Sequence, residues 1–162
     1  MFKTLETPRG QWELRFRLLR SIRIPYRWGG KVRPLSADWW TALQKGVDCS
    51  GFTQWVFWKA FGPSIPEGSL GQWQWLDKHG FKRYSRAGYV ANCLWRDHRV
   101  RIAFIPPRYR NGELAEAGHV WLVYDGRTYE SYGGHGFGSR HPLTPALLRR
   151  VKECFVITEP LR

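Results

Sequence analysis

Apolar positions divide the chain into a helical first part and a strand-rich second part. Behind Thr7-Pro8, which reads as a helix cap followed by proline in the first turn, Trp12, Phe16 and Leu19 fall at helical spacing, and Pro25 closes the segment. "PYRWGG" (25–30) reads as a loop carrying two aromatic residues, and a polar loop continues to about residue 45. A second helix is expected from Cys49, with Phe52, Trp55, Val56 and Ala60 on one face and Gly62-Pro63 as its stop. Residues 69–80 predict a short helix ending at Gly80, and the stretch 81–99 follows neither period. "VRIAFIPP" (100–107) predicts a strand stopped by prolines. "HVWLVYDGRTYESY" (119–132) predicts a hairpin, two β-rich runs joined by Asp125-Gly126. "GGHGFG" reads as a flexible loop, 144–151 as a short capped helix and "ECFVIT" as a last strand. Helices before strands argue for an α+β fold, N-terminal helices packed on a central antiparallel sheet.

A two-residue Asp-Gly turn sets the register of the hairpin. Tyr124 then pairs with Arg127, Val123 with Thr128, Leu122 with Tyr129 and Trp121 with Glu130. Strand side chains alternate with period two, so His119, Trp121, Glu130 and Tyr132 share one face. Glu130 becomes the diagonal neighbour of His119, within reach of a long side chain.

The length of 162 residues suits one domain, residues 1–162, with a true core. No apolar run approaches a membrane span, and the first residues lack the apolar stretch of a secretory signal. Synthesis in the cytoplasm without a signal peptide is therefore expected. An odd count of three cysteines, Cys49, Cys93 and Cys154, fits reduced thiols. Cys93 and His98 lack the paired spacing of a zinc site, so neither a metal nor a cofactor is expected. Lys and Arg number 26 against 13 Asp and Glu, a formal charge of +13 spread along the whole chain. That balance favours polyanionic surroundings and names no single partner.

Cys49 is where the chemistry concentrates. A thiol works as thiolate, and a helix N-terminus favours the thiolate. Asp48 is the wrong charge to activate it and suits a helix cap or a site for a substrate cation. The base has to come from one of five histidines: His79, His98, His119, His135 and His141. His119 opens a strand and has Glu130 to orient it, whereas His135 could swing in from the glycine-rich loop.

"PYRWGG", then "DCSGF" opening a helix, then "GHVWLVYDGRTYES" as a hairpin resembles, in that order, the NlpC-type cell-wall cysteine peptidases, a papain-like family. The resemblance spans about residues 10–157 and implies a papain-like NlpC-type fold. It implies Cys49 as nucleophile and His119 as base. Tyr26, with the Cys49 amide, would help form the substrate site or the oxyanion hole. Asp48 and Ser50 would contact the substrate peptide, Asp48 through the free amine of its first residue. The family's third catalytic position, usually His, Asn or Gln, falls on Glu130, with His135 as the competitor. The implied activity is metal-free hydrolysis of amide bonds in peptidoglycan stem peptides, often after D-γ-glutamate. The positive charge would hold such an enzyme on anionic wall polymers. A phage lysin, a tail-associated peptidase or an injected antibacterial effector would fit, with a phage tail or secretion machinery as partner. Two other classes compete: an inactive structural phage-tail domain, and a basic nucleic-acid-binding protein using Arg, Lys and exposed Trp.

Overall fold

The computed structural model describes residues 5–7, 24–31, 39–61, 64–85, 99–124, 126–133, 136–142 and 145–160. The helices among the described residues are α1 (Trp39–Gln44), α2 (Cys49–Phe61), α3 (Ser69–Lys78) and α4 (Pro145–Arg150). Six strands form the main sheet: β2 (Lys82–Ser85), β3 (Arg101–Ile105), β6 (His119–Tyr124), β7 (Arg127–Tyr132), β8 (Gly136–Pro142) and β9 (Glu153–Val156). Their spatial order is β2-β9-β3-β6-β7-β8, and every pairing is antiparallel. Beside it lie two small pairs. One is the parallel β1 (Leu5–Thr7) and β10 (Thr158–Pro160); the other is the antiparallel β4 (Arg108–Arg110) and β5 (Glu113–Glu116). The expected α+β arrangement, helices on an antiparallel sheet, is the one observed.

Alternation along the strands makes two buried layers. Ile102, Phe104, Val120, Leu122, Tyr129 and Phe155 join Phe52, Val56, Phe57 and Leu76 of the helices in the larger core. Ala103, Ile105, Trp121, Val123 and Cys154 form a second cluster with Val151. Since both faces of the sheet centre are covered, β3 reads as a continuous apolar run after Arg101 and is buried throughout. Helix α2 is buried on all sides from Cys49 to Phe57, which explains why it carries an apolar residue at so many positions outside one stripe.

The hairpin register is the predicted one, with Tyr124 paired to Arg127, Val123 to Thr128 and Leu122 to Tyr129. Gly126 takes a left-handed φ of 67°, the conformation an Asp-Gly hairpin turn requires. Three expectations need correction, and one hairpin was not foreseen. The loop running to about residue 45 contains α1. The "GGHGFG" loop turns into β8 at Gly136, because the edge of β7 offers a row of backbone partners. The predicted last strand is two short ones, β9 and β10. The hairpin β4–β5, turned by Asn111 (φ 53°) and Gly112 (φ 81°), is exposed along both strands and shows no alternation of burial. The helix expected after Thr7-Pro8 falls in residues 8–23, outside the described residues, as do Cys93, His98 and most of the ambiguous stretch. No helix among the described residues is long and apolar enough to cross a membrane.

Candidate functional site

The N-terminus of α2 is held at one end of the sheet by the loop before it. Val47 forms a parallel bridge with Tyr26. Its N–H donates to the Pro25 carbonyl at 3.2 Å, and its own carbonyl accepts the Arg27 N–H at 3.3 Å. The same carbonyl accepts the Ser131 hydroxyl at 2.8 Å, which ties the residues before Cys49 to the end of β7. The Asp48 N–H donates to the Gly30 carbonyl at 3.1 Å. A side chain at Gly30 would meet the Gly46 carbonyl oxygen at 2.3 Å, and one at Gly51 the Gly30 oxygen at 2.5 Å. The glycines of "PYRWGG" and "DCSG" are therefore contact glycines: each lets two backbone segments approach closely.

Asp48 caps the helix. Its Oδ1 accepts the Gly51 N–H at 2.8 Å and the Ser50 hydroxyl at 2.9 Å, satisfying a first-turn amide that has no acceptor within the helix. Its Oδ2 is paired with the ammonium of Lys31, which also donates to the Ser50 hydroxyl oxygen at 2.6 Å. From α3, the buried Gln72 accepts from Thr53 at 2.6 Å and donates to the Ser50 carbonyl at 2.8 Å. The first turn of α2 is thus fixed from three sides, and the Cys49 thiol with it.

Cys49 is 9 % exposed and faces the start of β6. The thiol lies close enough to the imidazole of His119 to influence its protonation. Nε2 of His119 lies 2.5 Å from Oε2 of Glu130. The Thr128 hydroxyl donates to the other Glu130 oxygen at 3.0 Å. Burial lowers the imidazole pKa. Hydrogen bonds to Cys49 and Glu130, and their charges, outweigh it and push the pKa up to about 9. Trp121 covers the ring at a centroid distance of 5.3 Å. Tyr26 is half-buried; burial, then the charges of Cys49 and Asp48, raise its pKa, so its hydroxyl keeps its proton beside the thiol.

The structure brings together Cys49, His119, Glu130, Tyr26, Asp48 and Ser50. His135 lies outside the described residues. His79 stacks on Trp75 at the exposed end of α3, and the backbone of His141 pairs with Thr128. Sequence reading missed Lys31, Gln72 and Thr128. Thr128 was legible as the same-face neighbour of Glu130, two residues back; Lys31 and Gln72 carry no local signal. Among the described residues no group of His, Cys, Asp and Glu is placed to hold a metal. A mainly apolar cavity lined by Leu70, Trp73, Phe104, Pro106 and Pro107, with Lys152 and Glu153 on its wall, does not include Cys49.

Comparison with known proteins agrees with the motif reading. The chain matches the NlpC/P60 family over residues 23–92, a span that includes "PYRWGG" and "DCSG" and ends before the His119 hairpin. This bears out the family resemblance. Among solved structures the chain is similar to the NlpC/p60 domain of the peptidoglycan hydrolase SagA. The identity is 17 %, the TM-score 0.47, and the match covers 84 % of this chain and 89 % of that one. No curated protein matches the chain.

Proposed function

We propose that this chain, NlpC/P60-like across its first two motif blocks, is a peptidoglycan hydrolase that cleaves amide bonds of wall stem peptides with Cys49 as nucleophile. The observation that carries the reading is one array: a thiol in the first turn of a buried helix, an imidazole close enough for the thiol to raise its pKa, and a carboxylate 2.5 Å from Nε2 of that imidazole. A buried cysteine serving only as a small hydrophobe has no need of the second and third groups.

The reaction follows from the placement. The Cys49 proton passes to His119, whose raised pKa favours a thiolate–imidazolium pair. The thiolate attacks the amide carbonyl, forming the C–S bond. The oxyanion is met by the Cys49 N–H, a first-turn amide of α2, and by the Tyr26 hydroxyl. When the C–N bond breaks, His119 gives its proton to the departing amine. Water then attacks the thioester with His119 as base, and the acid product leaves. Glu130 holds the ring and stabilises its charge, and the Thr128 hydroxyl holds Glu130. A glutamate here does this more strongly than the amide or imidazole usual in the family, because it adds charge to orientation. The cell wall is the place of action implied by this substrate, and the charge of +13 favours retention on its anionic polymers.

The test is incubation of wild type and Cys49→Ala with sacculi of several stem-peptide chemotypes, followed by mass spectrometry of the released fragments. New fragments from wild type alone are expected, including products ending in D-γ-glutamate. An identical fragment pattern from both proteins would overturn the assignment of Cys49.

A further inference from the structure

The carboxylate immediately before the nucleophile already has a cation. Lys31 reaches across from the end of the "PYRWGG" loop and places its ammonium on Asp48 Oδ2 and, at 2.6 Å, on the Ser50 hydroxyl. The lysine side chain is 19 % exposed and that of Asp48 11 %, so solvent screens the pair little. The other carboxylate oxygen is filled by the Gly51 N–H and Ser50. Asp48 therefore offers a substrate no unpaired carboxylate oxygen. A substrate ammonium arriving there would have to displace Lys31 or lie beside it, and like charges at that spacing repel.

We infer that Lys31 is a specificity-determining residue that stands in for a substrate amine, so that the site takes peptides whose acyl-side N-terminus is blocked as an amide rather than free. This deepens the hydrolase reading and rests on it for the word substrate; the charge arrangement can be tested without it. By supplying the cation internally, the chain holds Asp48 neutralised beside Cys49 whether or not substrate is bound. Among wall peptides the blocked class is the stem still joined to glycan through its first residue. The excluded class is the free peptide with a terminal ammonium.

Two measurements test this. The first compares thiol modification of Cys49 by a cationic (trimethylammonioethyl) and an anionic (sulfonatoethyl) methanethiosulfonate, each rate divided by that with free cysteine. Wild type is expected to show no preference for the cation. Lys31→Met is expected to raise the cation-to-anion ratio about tenfold at low salt, and Lys31→Arg to leave it near wild type. A strong preference for the cation in wild type, or an unchanged ratio in a folded Lys31→Met, would overturn the inference. The wild-type ratio needs no variant to fold. The second compares cleavage of one stem peptide with its N-terminus free and N-acetylated. Wild type is expected to prefer the acetylated form, and Lys31→Met to shift toward the free one. Preference of wild type for the free amine by tenfold or more overturns the inference. If neither peptide nor sacculi are cleaved while the reagent ratio behaves as expected, Lys31 keeps its place and the hydrolase reading fails instead.

Discussion

His119 and Glu130 stand eleven positions apart in sequence, and their side chains meet at 2.5 Å between Nε2 and Oε2. The contact is diagonal across an antiparallel pair, so it depends on the register of one hairpin. Glu130 is 7 % exposed, and its second oxygen is held by Thr128. A buried carboxylate so engaged gives the imidazole both a fixed tautomer and a counter-charge.

Replacing the charge while keeping the shape separates those two roles. Glu130→Gln is expected to lower kcat/KM roughly tenfold to hundredfold, and Glu130→Ala further, because the amide still orients the ring without stabilising its charge. The His119 pKa is expected to fall below the wild-type value of about 9 in both variants. NMR titration of the imidazole reads this directly, and an unchanged titration would remove Glu130 from the array.

The raised imidazole pKa also fixes a pH dependence. Activity that needs protonated His119 is expected to fall as pH rises through about 9. The linked stability has the same sign. The folded value lies above the ordinary 6.5, so protonation favours the fold; the gain is full below about 6.5 and is lost as pH rises through about 9. Thermal melts of wild type and His119→Gln between pH 6 and 10 should converge at the alkaline end. Parallel curves would contradict the linkage.

Close backbone contact at the helix start predicts an intolerant position. In Gly51→Ala the new methyl meets the Gly30 carbonyl oxygen at 2.5 Å, and neither segment is a flexible side-chain tip. A loss of about 2 kcal/mol or more is expected in urea denaturation, with slower Cys49 alkylation, although alanine favours helices. Wild-type stability in this variant would mean that the two segments can move apart freely.

Ser131 ties the sheet to the nucleophile's loop through the Val47 carbonyl at 2.8 Å. Ser131→Ala is expected to cost about 1–2 kcal/mol, since the carbonyl keeps the Arg27 N–H as its other donor. It should also lower the alkylation rate of Cys49 severalfold. Loss of stability with an unchanged alkylation rate would show that the tether is structural alone.

Local chemistry made much of this protein legible in its amino acids. Asp-Gly at 125–126 specifies a two-residue turn, the turn specifies register, and period-two alternation then places Glu130 on the face of His119. The start of α2 was legible because Asp48 is a good cap and sits three positions before the glycine that takes the backbone contact. Pattern misled where burial is not one-sided. Helix α2 has no single apolar stripe, β4–β5 is exposed throughout, and β8 is glycine-rich, so its strand character comes from the partner edge it joins.

The residues alone determined the fold class, the hairpin register and the pairing of Cys49 with His119 as the chemistry to look for, since turn geometry, side-chain alternation and the needs of a thiolate act over a few residues. Tertiary structure decided that Lys31, 17 positions upstream, caps the charge of Asp48. It also decided that Gln72, 22 positions from Ser50, braces the first turn of α2, and that Ser131 grips Val47 across 84 positions. Such contacts have no period and no spacing rule. They exist because folding closes those loops and brings these buried polar groups within reach of one another.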